Sequence, residues 1–129
     1  MRYLIDTSSL SRAIRDDTAL LQRFIWNLGI EQVGVSTMSI VEIEYGLRRR
    51  RVSRAGVIRE LLSHFAACAF DRQDAYRAGQ LRAQLEAVGR PIGLIDTMIA
   101  AQALVRNLTM VTHNVEDFAR VDGLRVLAL

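Results

Sequence analysis

Short strand-like runs alternate with longer stretches of helical periodicity along the whole chain, and few folds accommodate that order. The runs from Arg2 to Ile5, Gln32 to Ser36, Ala67 to Phe70, Thr109 to Thr112 and Arg125 to Leu129 are expected strands. Between the first two, Leu20, Leu21, Phe24, Ile25 and Leu28 recur at helical spacing ahead of Gly29. Further on, Asp71 with Asp74 opens a helical stretch that carries Tyr76, Leu81, Leu85 and Val88 and stops at Gly89. Strand, helix, strand in this order implies a mostly parallel sheet with helices on both faces, an α/β fold class. With 129 residues, 50% of them hydrophobic, the chain has material for one such core and is expected to form a single domain over 1–129.

Several classes of function are disfavoured at once. Charge or glycine interrupts the apolar runs well before the roughly 20 residues that a membrane span needs. No basic segment followed by a secretory apolar run opens the sequence, so no membrane partner and a cytoplasmic location are expected. Cys68, the single cysteine, cannot form an internal disulfide and reads as a small core residue rather than a catalytic thiol. All 17 basic residues are arginine, and the net charge is +3. Arg48, Arg49, Arg50, Arg51 and Arg54 crowd into one short stretch, which suits phosphate contacts but also suits a solvated helix end complementing the macrodipole.

A parallel sheet of this kind binds ligands beyond the carboxyl ends of its strands, where the strand order reverses. Asp6 ends the first strand, and Thr7, Ser8 and Ser9 are available to cap the next helix in its place. Glu42 follows Ser39 by three residues, a spacing that also fits a capping box. Glu44 lies about 200° away around the same helix and four residues before Arg48, placed for a helical ion pair. Asp96 stands at the start of a helix with the stripe Ile99, Ala100, Ala103 and Leu104, after a loop punctuated by Pro91 and Gly93; an N-cap would account for it too. After the strand ending at Thr112, Asn114 and Asp117 resemble a cap with its reciprocal partner, while His113 reads as a solvated loop residue and Asn107 as a left-handed helix end. Capping explains each acid singly. It does not explain why all of them should fall on one rim, where crowded carboxylates raise each other's pKa unless a cation intervenes. With no cluster of Cys and His for zinc, a hard divalent ion such as Mg²⁺ or Mn²⁺ is the natural one.

The segments LIDTSSL, SIVEIEYGL, PIGLIDTMIAAQAL and LTMVTHNVEDF, in this order and spacing, resemble the four acidic motifs of PIN-domain ribonucleases, and in particular the toxin subunits of VapBC-type toxin-antitoxin pairs. The resemblance extends over essentially the whole chain. It implies a three-layer fold with a central five-stranded parallel sheet flanked by helices, and RNA cleavage dependent on Mg²⁺ or Mn²⁺. By this correspondence Asp6, Glu42 and Asp96 are the core metal carboxylates and Asp117 the fourth catalytic and metal-site acid, acting through water or a second metal, with Thr7, Thr112 and Asn114 as supporting polar groups. Ile95 departs from the pattern, since many relatives carry a polar residue just before the third acid. The implied partners are an RNA substrate, a cognate VapB-type antitoxin covering the acidic groove, and further copies in a homodimer and a toxin-antitoxin hetero-oligomer.

Two other functions fit parts of the pattern. A phosphatase-type hydrolase would use Asp6 as nucleophile, but Ser8 stands where such enzymes carry a second acid. A non-catalytic regulatory partner within a toxin-antitoxin complex would use Arg48 to Arg54 on nucleic-acid phosphates, although no recognition helix or zinc finger is legible.

Overall fold

The computed structural model describes residues 1–16 and 18–129. The strands β1 (Tyr3–Ile5), β2 (Val33–Ser36), β3 (Ala66–Cys68), β4 (Thr109–Thr112) and β5 (Val126–Ala128) form one sheet in the order β3-β2-β1-β4-β5. Every pairing is parallel. Among the described residues the helices are α1 (Thr7–Asp16), α2 (Thr18–Leu28), α3 (Thr37–Arg49), α4 (Ala55–Ser63), α5 (Arg72–Ala87), α6 (Leu94–Arg106) and α7 (Val115–Phe118). The expected α/β class and five-stranded parallel sheet are both present, with strand limits shifted by one or two residues.

Alternation along the strands sends neighbouring side chains to opposite faces. Leu4, opposite Met110, packs on one face with Leu81 and Leu85 of α5, Ile99, Ala100 and Ala103 of α6, and Phe118 of α7. Ile5, opposite Val111, joins Val33 and Val35 on the other face, beneath Leu10 of α1, Ile25 of α2, and Ile43 and Leu47 of α3. The alanines of α6 are fully buried, so small side chains let that helix lie close against the sheet. Of the expected apolar stripe in α2, Phe24 and Leu28 are half-buried, and the side chains of Leu20 and Leu21 lie outside the described residues. Tyr76 and Val88 of α5 are exposed and belong to no core.

Three helix starts differ from the sequence expectation, each with a physical cause. Ser36, not Ser39, caps α3 by accepting the Met38 N–H at 3.1 Å, so Ser39 lies inside the helix and the capping box with Glu42 does not form. Gly93 occupies the cap position of α6, which makes Asp96 the third helical residue rather than its cap. Asn114 stands before α7 but its side chain makes no cap bond; its Nδ2 donates to Asp117 Oδ2 at 2.9 Å instead. Other expectations hold: Asp71 and Asp74 form a reciprocal capping box on α5, and Asn107 ends α6 in the left-handed region at φ 54°.

Candidate functional site

The strand order reverses at β1: β2 and β3 extend to one side of it, β4 and β5 to the other. Asp6 sits where β1 ends, and its backbone N–H donates to the Val111 carbonyl of β4 at 3.2 Å. This is the crevice that an open parallel sheet offers to ligands. The Asp6 side chain is completely buried. Its Oδ2 accepts the Ser8 hydroxyl at 2.8 Å, while Oδ1, also buried, has no hydrogen-bond partner among the described residues. A buried carboxylate oxygen without a donor is costly, and an ordinary cap would not leave one.

The hydroxyls around it bind neighbouring elements together, where the sequence reading had them capping α1. Thr7 and Ser39 share a hydrogen bond of 2.6 Å, which draws α3, and Glu42 one turn further along, toward the start of α1. Ser9 accepts the backbone N–H of His113 at 3.1 Å and lies 3.4 Å from the Thr112 hydroxyl. Thr112 accepts the Asn114 N–H at 2.8 Å, turning the chain after β4 toward Asp117. Thr7, Thr112 and Asn114 each make a hydrogen bond to a side chain or backbone group of this cluster. Ser8, which sequence reasoning treated only as a spare cap, contacts Asp6 directly; its position two residues after a strand-ending acid was the available signal.

The four predicted acids lie just after β1, on α3, on α6 and on α7. Burial first, and then the charges of Asp6, Glu42 and Asp117, raise the Asp96 carboxyl to about 6. Glu42 and Asp96 line an open groove of about 500 Å³ together with Thr7, Ser8, Ser11 and Ile95, while Asp6 is buried and linked to that lining through Ser8. Ile95 is half-buried and packs against the core, so the departure from a polar residue there serves packing. Asp117 differs from the rest: besides Asn114 it has Arg120, whose Nη2 is 3.5 Å from Oδ1. Glu116 and His113 are exposed.

The arginine run divides. Arg48 donates to Glu44 at 2.8 Å, as its helical spacing suggests, and Arg59 of α4 donates to the same carboxylate through two nitrogens, each at 2.9 Å. The hydrogen bond from Arg59 is the main cause that holds the Glu44 carboxyl well below the usual range. Glu44 is thereby committed to joining α3 and α4, as its position facing away from Glu42 implied. Arg50 and Arg54 line a second groove of about 510 Å³ together with Glu42 and the apolar Ile14, Ile43, Leu47 and Ile58. Arg49 and Arg51 are exposed, and Arg51 takes a left-handed conformation at φ 49° in the turn between α3 and α4.

Oxygen donors only, one of them buried and unpartnered, beside a carboxyl whose charged form is disfavoured by like charges, make a set that a hard divalent cation would relieve. Among the described residues no three acid, imidazole or thiol groups are grouped closely enough to hold a metal ion together. The raised Asp96 carboxyl sets a pH dependence. An ion held by Asp96 would compete with its proton, so affinity for a divalent cation is expected to climb as pH rises through about 6 and then level off, as calorimetric titrations at several pH values would show. For the metal-free protein the sign is opposite: the folded state holds this proton more tightly than the unfolded chain, whose value is near 3.8, so the Asp96 contribution to stability declines between pH 4 and 6.

A five-stranded parallel α/β domain whose acids meet at the switch point of the sheet defines a class of protein with a carboxylate-rimmed, open site. A family model for the PIN domain matches residues 3–124. The chain belongs to the PIN-domain family. It is 33% identical to the tRNA(fMet)-specific endonuclease VapC of Shigella flexneri over 128 residues, which is 97% of this chain and 96% of the relative. Ribonuclease VapC2 of Haemophilus influenzae is 30% identical over 97% of this chain and 96% of its own length. Among solved structures, DNA-bound VapBC from Salmonella typhimurium superposes with a TM-score of 0.90 at 28% identity, covering 99% of this chain and 98% of that one.

Proposed function

We propose that this chain is a divalent-metal-dependent endoribonuclease that hydrolyses RNA phosphodiester bonds with Mg²⁺ or Mn²⁺, and that it is the toxin of a VapBC-type pair held in check by a cognate antitoxin. The observation that carries the reading is the buried, unpartnered Oδ1 of Asp6 at the sheet's switch point, with the charges of Asp6, Glu42 and Asp117 all acting on the half-buried Asp96. Relatives named as ribonucleases or as a tRNA endonuclease, similar along nearly their full length, support it.

Asp6, Asp96 and Glu42 would hold the ion. When bound, the ion supplies Lewis acidity for activating a water and offsetting phosphodiester charge. The protein's own part is to fix the oxygens: Ser8 orients Asp6, and the Thr7–Ser39 bond holds the helix that carries Glu42. Asp96, in the first turn of α6, gives up its proton only as pH rises through about 6 and above that offers an ionised carboxylate. The groove toward Arg50 and Arg54 gives the RNA backbone a cationic path that leads past Glu42. The Arg50→Ala/Arg54→Ala pair is expected to weaken RNA binding and flatten its salt dependence by about 0.7 per lost phosphate contact, whereas Arg48→Ala, whose charge is already engaged by Glu44, changes it little. Binding measured against salt with an inactive Asp96→Asn background checks this.

The same apolar-floored groove is suited to an antitoxin segment that buries apolar side chains along Ile43 and Leu47 and presents a basic group to the acids, a physically simple form of inhibition. A homodimer and a toxin-antitoxin hetero-oligomer complete the proposed assembly. The deciding experiment is incubation of purified protein with total RNA in Mg²⁺, Mn²⁺ or EDTA, followed by mapping of the cut ends. Discrete, metal-dependent products that vanish with stoichiometric antitoxin support the reading. Cleavage that persists in EDTA overturns its metal dependence, and no cleavage in either ion overturns the activity.

A further inference from the structure

Arg120 has no task in the function above, yet it is built into the site. It follows α7, and its guanidinium pairs with Asp117 Oδ1 at 3.5 Å. Nη1 donates at 3.1 Å to the carbonyl of Pro91, in the loop that leads into α6 and Asp96. The side chain is only 25% exposed, and its Nε is buried with no acceptor among the described residues. A guanidinium that leaves a buried N–H unpaired is kept in place by its other contacts, here one carboxylate and one carbonyl. The second oxygen of Asp117 is engaged as well, by Asn114. The four acids are therefore of two kinds. Asp117 already has a cation and a hydrogen-bond donor, whereas Asp6 keeps a bare buried oxygen and Asp96 is crowded by like charge.

We propose that Arg120 is the resident counter-ion of Asp117, so that the site takes a single divalent ion on the side of Asp6 and Asp96, and the guanidinium occupies the electrostatic place of a second. This inference rests on the metal reading given above. Arginine carries a permanent charge, so the pairing persists at any pH at which Asp117 is ionised. A second ion would have to displace the guanidinium from Asp117 and from Pro91 together, and would do so beside a first ion of the same sign.

The test is a titration of Mn²⁺ into the intact protein, with free Mn²⁺ followed by electron paramagnetic resonance, which reads stoichiometry and affinity without any turnover. One ion per chain is expected for the unmodified protein. Arg120→Gln, checked for its fold by circular dichroism, is expected to acquire a second, weaker ion, and Arg120→Lys to stay at one. The charge-neutral double variant Asp117→Asn/Arg120→Gln is expected to keep the first ion's affinity within a few-fold, because Asp117 is not among its ligands. Two ions on the unmodified protein, a well-folded Arg120→Gln that still takes one, or a loss of about 10- to 100-fold in the double variant would overturn the assignment. If Arg120→Gln does not fold, the stoichiometry of the unmodified protein decides. Failure of the unmodified protein to bind any Mn²⁺ saturably would bring down the metal reading itself, and this inference with it.

Discussion

Asp6→Asn and Asp96→Asn, each made singly, are expected to abolish metal-dependent RNA cleavage while leaving the fold intact. Either change removes a carboxylate from the pair placed to hold the ion, and several kcal/mol of transition-state stabilisation correspond to a fall of about 100- to 1,000-fold or more. The expected stability change separates this result from simple unfolding. Asp6 is wholly buried with one oxygen unpartnered, and Asp96 is crowded by three other acids, so an amide at either position relieves a cost that the metal-free protein carries. In EDTA both variants should therefore melt no lower than the unmodified chain. Cleavage that survives in both, with the melting curves unchanged, would show that the acids of this rim are not the catalytic ones.

The largest loss of stability is expected far from that rim. Asp74 of α5 is fully buried and ion-paired to Arg106 of α6, whose Nη2 also donates to Asp74 Oδ2 at 2.9 Å and to the Ala69 carbonyl at 3.1 Å. Gln102, one turn earlier on α6, donates to the Cys68 carbonyl at 3.0 Å, so the two helices are fastened to the end of β3. Arg106→Ala leaves a buried carboxylate without its cation, a change that costs about 3–5 kcal/mol. Urea unfolding monitored by circular dichroism measures it. Replacing both partners by apolar residues should cost clearly less, because neither charge is then stranded. The pH dependence follows from the same contacts: burial opposes ionisation of Asp74, but Arg106 and the Asp71 backbone outweigh it and hold the carboxyl below its usual 3.8. Because the folded value is the lower one, the contribution is present above about pH 4 and is lost as pH falls through the folded value.

That network also marks where reading a sequence runs out. The Asp71–Asp74 box was legible because it is local, whereas Arg106 reaches Asp74 across 32 positions and leaves no periodic trace. The same holds for Arg120 and Pro91, which are 29 residues apart. Asp6 and the strand Thr109–Thr112 could be placed from pattern alone, since a buried strand that ends on an acid and a small-residue helix stripe are strong local signals. Helix starts were harder. Ser36 and Ser39 are both acceptable caps in isolation, and the choice fell to Ser36 because Ser39 is needed for the bond to Thr7. A cap at Asp96 is as compatible with the sequence as a place in the site, yet Gly93 opens that helix with no side-chain bond at all. Each of these corrections moved an acid away from a local duty and toward the site.

The position of β1 in the middle of the sheet has a further consequence, for the time at which activity can arise. Its two partners are β2, which begins at Val33, and β4, which begins at Thr109, so one flank of the central strand stays open until most of the polypeptide has been made. Pairings between such distant segments are slow to form, and an unpaired strand edge is exposed meanwhile. The acids follow the same schedule: Asp6 is synthesised early, Asp96 and Asp117 late, and Asp6 gains its hydrogen bond to Val111 only with β4 in place. A ribosome carrying the chain before β4 has emerged would thus hold an inert segment, and the capacity to cut RNA would switch on as a single event only once β4 and Asp117 have been made.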